Sequence, residues 1–223
     1  MSLCDKILSQ LLYLSNPANI EGMRRFGIHV DNTLGIRIPE LRKIAKNYKN
    51  SHDLAVQLWK TGYHEARILA SMVDDPRQVT SVQMDEWVKD FKSWDLCDQV
   101  CVNLFTRTNI FHDKIIEYSD DPSEFVKRSA FSMIASHAIK LKSTKIDPFL
   151  DYFPLIESAS SDPRPMVKKS VNWALRQIGK KDMTFAQHVI PFCILLKPLH
   201  PPTSTWIASD ALRELYKKFP QLK

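Results

Sequence analysis

The chain has 223 residues, 44% of them hydrophobic, with a formal net charge of +6 and a pI near 9.1. This length suits one domain or one array of stacked repeats, and the apolar share excludes global disorder. Five glycines are few for an all-β fold with its many turns, and the basic balance points to an anionic partner, nucleic acid first, although a plain excess of lysine gives the same figure.

The N-terminus, MSLCDKILSQLLYL, carries only a short apolar stretch beside a lysine and an aspartate. It lacks the charged, apolar and cleavage regions of a secretory signal, and no apolar run reaches transmembrane length. A cytoplasmic, monomeric protein is the expectation. The helical period then takes over. Residues 38–48 place Leu41, Ile44, Ala45 and Tyr48 on one stripe. Ser51 reads as the N-cap of a helix over 51–60, with Leu54, Ala55, Leu58 and Trp59 inward. Residues 63–73 align Ala66, Leu69, Ala70 and Val73. Within them His64, Glu65 and Arg67 read as a surface or inter-helix hydrogen-bonding group, not a metal site. Thr80 caps a helix over 80–91. Ser93 opens another over 93–108, with Asp95 in the first turn where the helix dipole favours an acid.

Asp121-Pro122 and Asp162-Pro163 read as two matching helix starts, with proline in the first turn, for helices over 122–139 and 164–179. The second is expected to end at Gly179 as a C-cap. Residues 138–148 read as the longest connector, and Thr203 or Ser204 opens a last helix to about Lys218. No segment alternates with period two. Short helices of this kind must stack in pairs to bury their stripes, and pairs recurring every 35–45 residues or so fall in the range of HEAT-type units. The expectation is an all-α, HEAT-like helical-repeat solenoid forming a single domain over 1–223; an irregular helical bundle fits the same periodicity.

Three segments carry candidate chemistry. In Ser93-Trp94-Asp95-Leu96-Cys97-Asp98, Trp94 and Asp98 lie one turn apart, and a ring face beside a carboxylate suits a cation. A core tryptophan and an aspartate paired with a nearby base fit the pattern too. In 167–181, Lys169, Trp173 and Arg176 share one face with Lys180 a turn beyond, which suits a phosphate backbone or a solvated basic face alike. Lys127-Arg128 and Lys168-Lys169 each come early in a helix after an Asp-Pro start, so both pairs could present cations from parallel helices. Asp210, Arg213 and Glu214 look like surface or inter-helix ion pairs. The sequence has no phosphate loop, HExxH or GxSxG. Its four cysteines, Cys4, Cys97, Cys101 and Cys193, suit neither zinc nor disulfides and read as buried thiols. No metal or other cofactor is expected.

The stretches GIRIPELRKIAK (35–46), LWKTGYHEARILA (58–70), WVKDFKSWDLCD (87–98), EFVKRSAF (124–131), VKKSVNWALRQIGKK (167–181) and WIASDALREL (206–215) together resemble the AlkD-type DNA alkylation repair family. The resemblance implies a HEAT-like solenoid whose concave basic face holds duplex DNA. It also implies metal-free, monofunctional hydrolysis of the N-glycosidic bond of cationic lesions such as N3-alkyladenine and N7-alkylguanine, without turning the base into a deep pocket. By position, the catalytic aspartate falls on Asp98, the sugar-contacting tryptophans on Trp94 and Trp173, and the phosphate-contacting arginine on Arg128, with Arg176 on the same side as Trp173. Phe26 and Arg37 fall where DNA-side residues are expected. A non-catalytic HEAT-like DNA-binding module would use the same basic face, and a protein-binding helical adaptor is a third possibility.

Overall fold

The computed structural model describes residues 1–142 and 145–223, and every regular element among them is a helix. The chain divides into two compact units, Met1–Phe111 and His112–Lys223.

The first unit holds α1 (Leu3–Tyr13), α2 (Pro17–Arg25), α3 (Ile38–Ala45), α4 (His52–Lys60), α5 (His64–Val73), α6 (Ser81–Lys89) and α7 (Trp94–Asn103), followed by one 3-10 turn at Phe105–Arg107. Helix α5 is its spine, packed by α1, α3, α4 and α7. Eight of its ten residues are buried, more than any single stripe would hide. Apolar Ala66, Ile68, Leu69, Ala70 and Val73 meet neighbours on several sides, which is the condition for a central helix.

Polar groups at the start of α5 organise the loop before α3. Glu65, 1% exposed, accepts backbone N–H bonds from Leu34 at 2.8 Å, Gly35 at 2.7 Å and Ile36 at 3.2 Å. A buried carboxylate is tolerated only when its lone pairs are met, and here three consecutive amides converge on it. Gly35 takes φ +74°, and a Cβ there would run into the Asn16 carbonyl oxygen. Glycine at this position answers both a left-handed backbone and a close approach.

The second unit begins with α8 (Phe111–Ser119) and continues through α9 (Glu124–Lys140), α10 (Asp147–Leu150), α11 (Tyr152–Ala159), α12 (Pro165–Gly179), α13 (Met183–Leu196) and α14 (Thr203–Lys218), closing on a 3-10 turn at Pro220–Leu222. Its spine is α12, packed by α9, α11, α13 and α14. The expected connector over 138–148 is partly helical, since α9 runs to Lys140 and α10 starts at Asp147. Residues 143 and 144 lie outside the described residues.

Several local expectations hold for different reasons than the sequence suggested. Pro122 and Pro163 precede the N-caps, Ser123 and Arg164, so neither lies in the first turn. The aspartates act instead: Asp121 accepts from the Ser123 N–H at 2.7 Å and Asp162 from the Arg164 N–H at 3.1 Å, each closing an Asx-turn into the helix. Gly179 does end α12, but the residue after it keeps a right-handed backbone. What demands glycine is packing, because a Cβ at 179 would sit 2.8 Å from the Leu215 side chain and 3.2 Å from Val189. Ser51 occupies the N-cap of α4 without a side-chain cap bond, whereas Thr80 caps α6 by accepting from the Gln83 N–H at 3.2 Å. All four cysteines are buried free thiols, and burial pushes Cys193 up to about 12.

Six helices went unassigned in the sequence: α1, α2, α8, α10, α11 and α13, although α1 carries a Ser2–Asp5 capping box and a stripe of Cys4, Ile7 and Leu11. No residue of α2 is buried, so it carries no stripe. Helix α13 is apolar on nearly every face, so it shows no contrast of faces.

Two glycines give a test. Gly35→Ala is expected to cost roughly 2 kcal/mol or more through the left-handed backbone and the Asn16 clash. Gly22→Ala lies inside α2 with open space around it and is expected to gain about 0.5–1 kcal/mol. Urea unfolding of the two variants beside the wild type would check both signs.

Candidate nucleic-acid interface and excision site

The site in the first unit grows from the N-terminus of α7. Ser93, its N-cap, turns its hydroxyl to Asp95 Oδ1 at 2.8 Å instead of to the helix amides. Asp95 Oδ2 meets His64 Nε2 at 2.8 Å, and the His64 backbone N–H donates to the Asn32 carbonyl at 2.9 Å. The start of α5 thereby ties the loop before α3 and the start of α7 to one point. Arg67, one turn further, donates to Asp90 at 2.8 Å, and Trp59 Nε1 reaches the same oxygen. His64, Glu65 and Arg67 form the hydrogen-bonding group that the sequence suggested.

That anchoring presents Trp94 and Asp98 on one face of α7. Both line an apolar cavity of about 430 Å³, walled also by Met23, Ile36 and Ile68 and edged by Arg37. Trp94 Nε1 donates to the Phe26 carbonyl at 2.9 Å, so the ring is fixed by a backbone group from the end of α2. The Phe26 ring itself is 76% exposed, and Arg37 is exposed as well.

The remaining sequence candidates lie in the second unit. Trp173 is half-buried on α12 and, with the Gln177 amide turned so that its oxygen faces the indole, donates to it at 3.0 Å. Arg128 is only 5% exposed and donates to the Met166 carbonyl at 2.7 Å, which ties α9 to the first turn of α12. Lys127 lies 3.5 Å from Asp162, and Lys168 stands 4.8 Å over the Trp206 ring. Arg176 pairs with Asp210 and with Glu214, and Lys180 reaches Glu214 at 2.7 Å. Lys169 is exposed. Much of the cationic charge therefore joins helix to helix. By sequence the excess is uneven: residues 1–111 carry 14 lysines and arginines against 13 acids, and residues 112–223 carry 17 against 12.

The sequence matches the model of the DNA alkylation repair enzyme family over residues 7–192. The chain belongs to the DNA alkylation repair enzyme family. Among curated proteins none matches it. A solved structure is similar over 85% of this chain and 81% of its own, at 18% identity and a TM-score of 0.76; its protein is from a new family related to the HEAT-like repeat DNA glycosylases, with affinity for branched DNA structures. At that identity the likeness is one of fold, and the fold is that of HEAT-like helical repeats.

For this member of the DNA alkylation repair enzymes, sequence reasoning missed Glu65 as the loop anchor and missed the cavity wall from α2. A buried acid at the start of a spine helix was the available signal for the first. No helix among the described residues is long and apolar enough to cross a membrane, and no cluster of His, Cys, Asp or Glu among them is arranged to hold a metal.

Burial alone would lower His64 and raise Asp95. Their hydrogen bond and opposite charges outweigh it, holding the imidazole above its ordinary value of 6.5 and the carboxyl below 3.8. The His64 contribution to stability is then complete below pH 6.5 and lost as pH rises through the raised value; that of Asp95 is complete above 3.8 and lost as pH falls. Urea midpoints should fall between pH 6 and pH 9 in the wild type and change less in His64→Gln. An equal slope in both would assign the effect elsewhere.

Proposed function

We propose that this protein is a monofunctional DNA glycosylase that hydrolyses the N-glycosidic bond of cationic alkylated purines, N3-alkyladenine and N7-alkylguanine, in duplex DNA. The observation that carries the reading is the placement of Trp94 and Asp98 on one face of α7, both lining the same apolar cavity. A carboxylate beside an indole face, next to apolar walls, complements a flat cation and opposes a phosphate.

The chemistry follows from the substrate's own charge. An alkylated purine is already cationic, so the C1′–N bond can break with its electron pair passing to the base, which leaves neutral. The sugar becomes oxocarbenium-like. Asp98 stabilises that charge and takes a proton from the water whose oxygen bonds to C1′. Trp94, fixed through its indole N–H, offers its ring face to the cationic nucleotide.

In the second unit, Lys169 and Trp173 offer a cation and a ring to the DNA backbone, with Lys168 beside them. Arg128 serves by holding the first turn of α12. Arg176 and Lys180 take up phosphate by exchanging it for Asp210 and Glu214. Arg37, at the cavity's edge, and the exposed ring of Phe26 serve on the DNA side.

A second reading, a non-catalytic DNA-binding module, is favoured by the branched-DNA affinity of the protein that shares the fold. One experiment separates the two. Wild type and Asp98→Asn are incubated with duplex DNA treated with a methylating agent, and released 3-methyladenine and 7-methylguanine are measured beside duplex affinity. Release should fall about 100-fold or more in the variant with affinity kept. Excision persisting in Asp98→Asn would remove the catalytic role; no release from wild type, with tight salt-sensitive binding, would favour the second reading.

A further inference from the structure

Gln99 follows Asp98 on α7 and borders the same space as Trp94 and Asp98. It is half-buried, and its amide is held by a chain of bonds. Gln99 Oε1 accepts from Asn103 Nδ2 at 3.3 Å, and the same nitrogen donates to Ser71 Oγ at 3.2 Å. The Ser71 hydroxyl donates in turn to the Ile68 carbonyl at 2.6 Å. Ser71 is fully buried in α5, so the chain is rooted in the spine of the unit. Each link has one sense. Ser71 has given its only hydrogen to Ile68, so it offers Asn103 lone pairs, and Asn103 must turn its NH₂ to meet them. That NH₂ can meet only the oxygen of Gln99. The two N–H donors of Gln99 are then the end left to a guest.

A donor fixed at this place supplies what Asp98 cannot. Consecutive residues on a helix point about 100° apart and do not face each other. A small molecule lying between the two side chains can still touch both. Water suits that position: it donates one hydrogen to a carboxylate, accepts one from an amide, and keeps a lone pair pointing outward. The apolar walls of Met23, Ile36 and Ile68 offer water no bonds, which confines it to the polar edge on α7. We propose that Gln99 is a further catalytic residue, which together with Asp98 holds the water that attacks the sugar. This rests on the excision reading above. As the C1′–N bond breaks, its electron pair leaves with the base. The outward lone pair of the water forms the O–C1′ bond, and the proton released passes to Asp98. Gln99 exchanges no proton; it fixes the direction of attack.

The test compares wild type, Gln99→Met and Asn103→Asp in single-turnover release of 3-methyladenine from methylated duplex DNA, beside duplex affinity. Gln99→Met keeps the length of the side chain and removes the donor. Asn103→Asp leaves Gln99 in place but sets an acceptor against its oxygen, so the amide turns over and presents the wrong end. Both variants should lose about 10- to 100-fold in rate at saturating enzyme, with duplex affinity kept. If Gln99→Met fails to fold, Asn103→Asp decides by the same rate. A rate kept in Gln99→Met overturns the role of Gln99 and leaves the glycosylase standing. Weaker affinity with the saturating rate kept makes Gln99 a DNA contact and overturns the role as well. No release by wild type removes the excision reading and the role with it.

Discussion

The first unit depends on one carboxylate. Glu65 stands at the second position of a helix packed by four others, where charge is normally excluded, and it is kept there by three amides arriving from a loop some thirty residues earlier. Each charge-assisted bond is worth about 1.5–3 kcal/mol, and leaving such a group unmet inside the protein costs at least as much. The clamp therefore acts as a unit: it sets the left-handed turn at Gly35, gives α2 the carbonyls it hangs from, and fixes one wall of the cavity. His64, the next residue back, does the same for α7 through Asp95.

The second unit solves a related problem with different chemistry. Its spine, α12, is joined to α9 by Arg128 on the Met166 carbonyl and by Glu124 accepting the Met166 N–H at 3.1 Å. It is joined to α14 by Asn172 on the Ile207 carbonyl at 3.0 Å and by the Arg176–Asp210–Glu214 group. Cations that look available in a linear sequence are thus part of the glue between successive helices. A phosphate that takes Arg176 or Lys180 must compete with carboxylates already in place.

The fold class was legible because several helices carry clear stripes, as 38–48 and 164–179 do. Helix α2 was not legible, since its few apolar residues face a space and not a core. Helix α13 hides for the opposite reason, having too little polar contrast. The shared face of Trp94 and Asp98 could be read from their spacing alone, because four residues make one turn. The cavity could not: besides α7, its walls come from α2, residues 35–39 and α5, parts distant in the chain that the Glu65 clamp, the bonds of Asn16 and Asn19 and the Trp94–Phe26 bond bring together. The aspartates before the two prolines show a subtler gap. The start signals were seen, yet before α9 the work falls to the acid, and α12 takes its first-position ring from Pro165 and not from Pro163.

The uneven charge gives the molecule a direction. Residues 112–223 hold nearly all of the positive excess, while residues 1–111 are close to neutral. A polyanion attracts residues 112–223 far more strongly than residues 1–111, and that pull acts at distances of a Debye length or so, before any contact forms. Salt therefore weakens the attraction of the second unit, while the nearly neutral first unit, with its acids beside an apolar space, answers to short-range contacts alone.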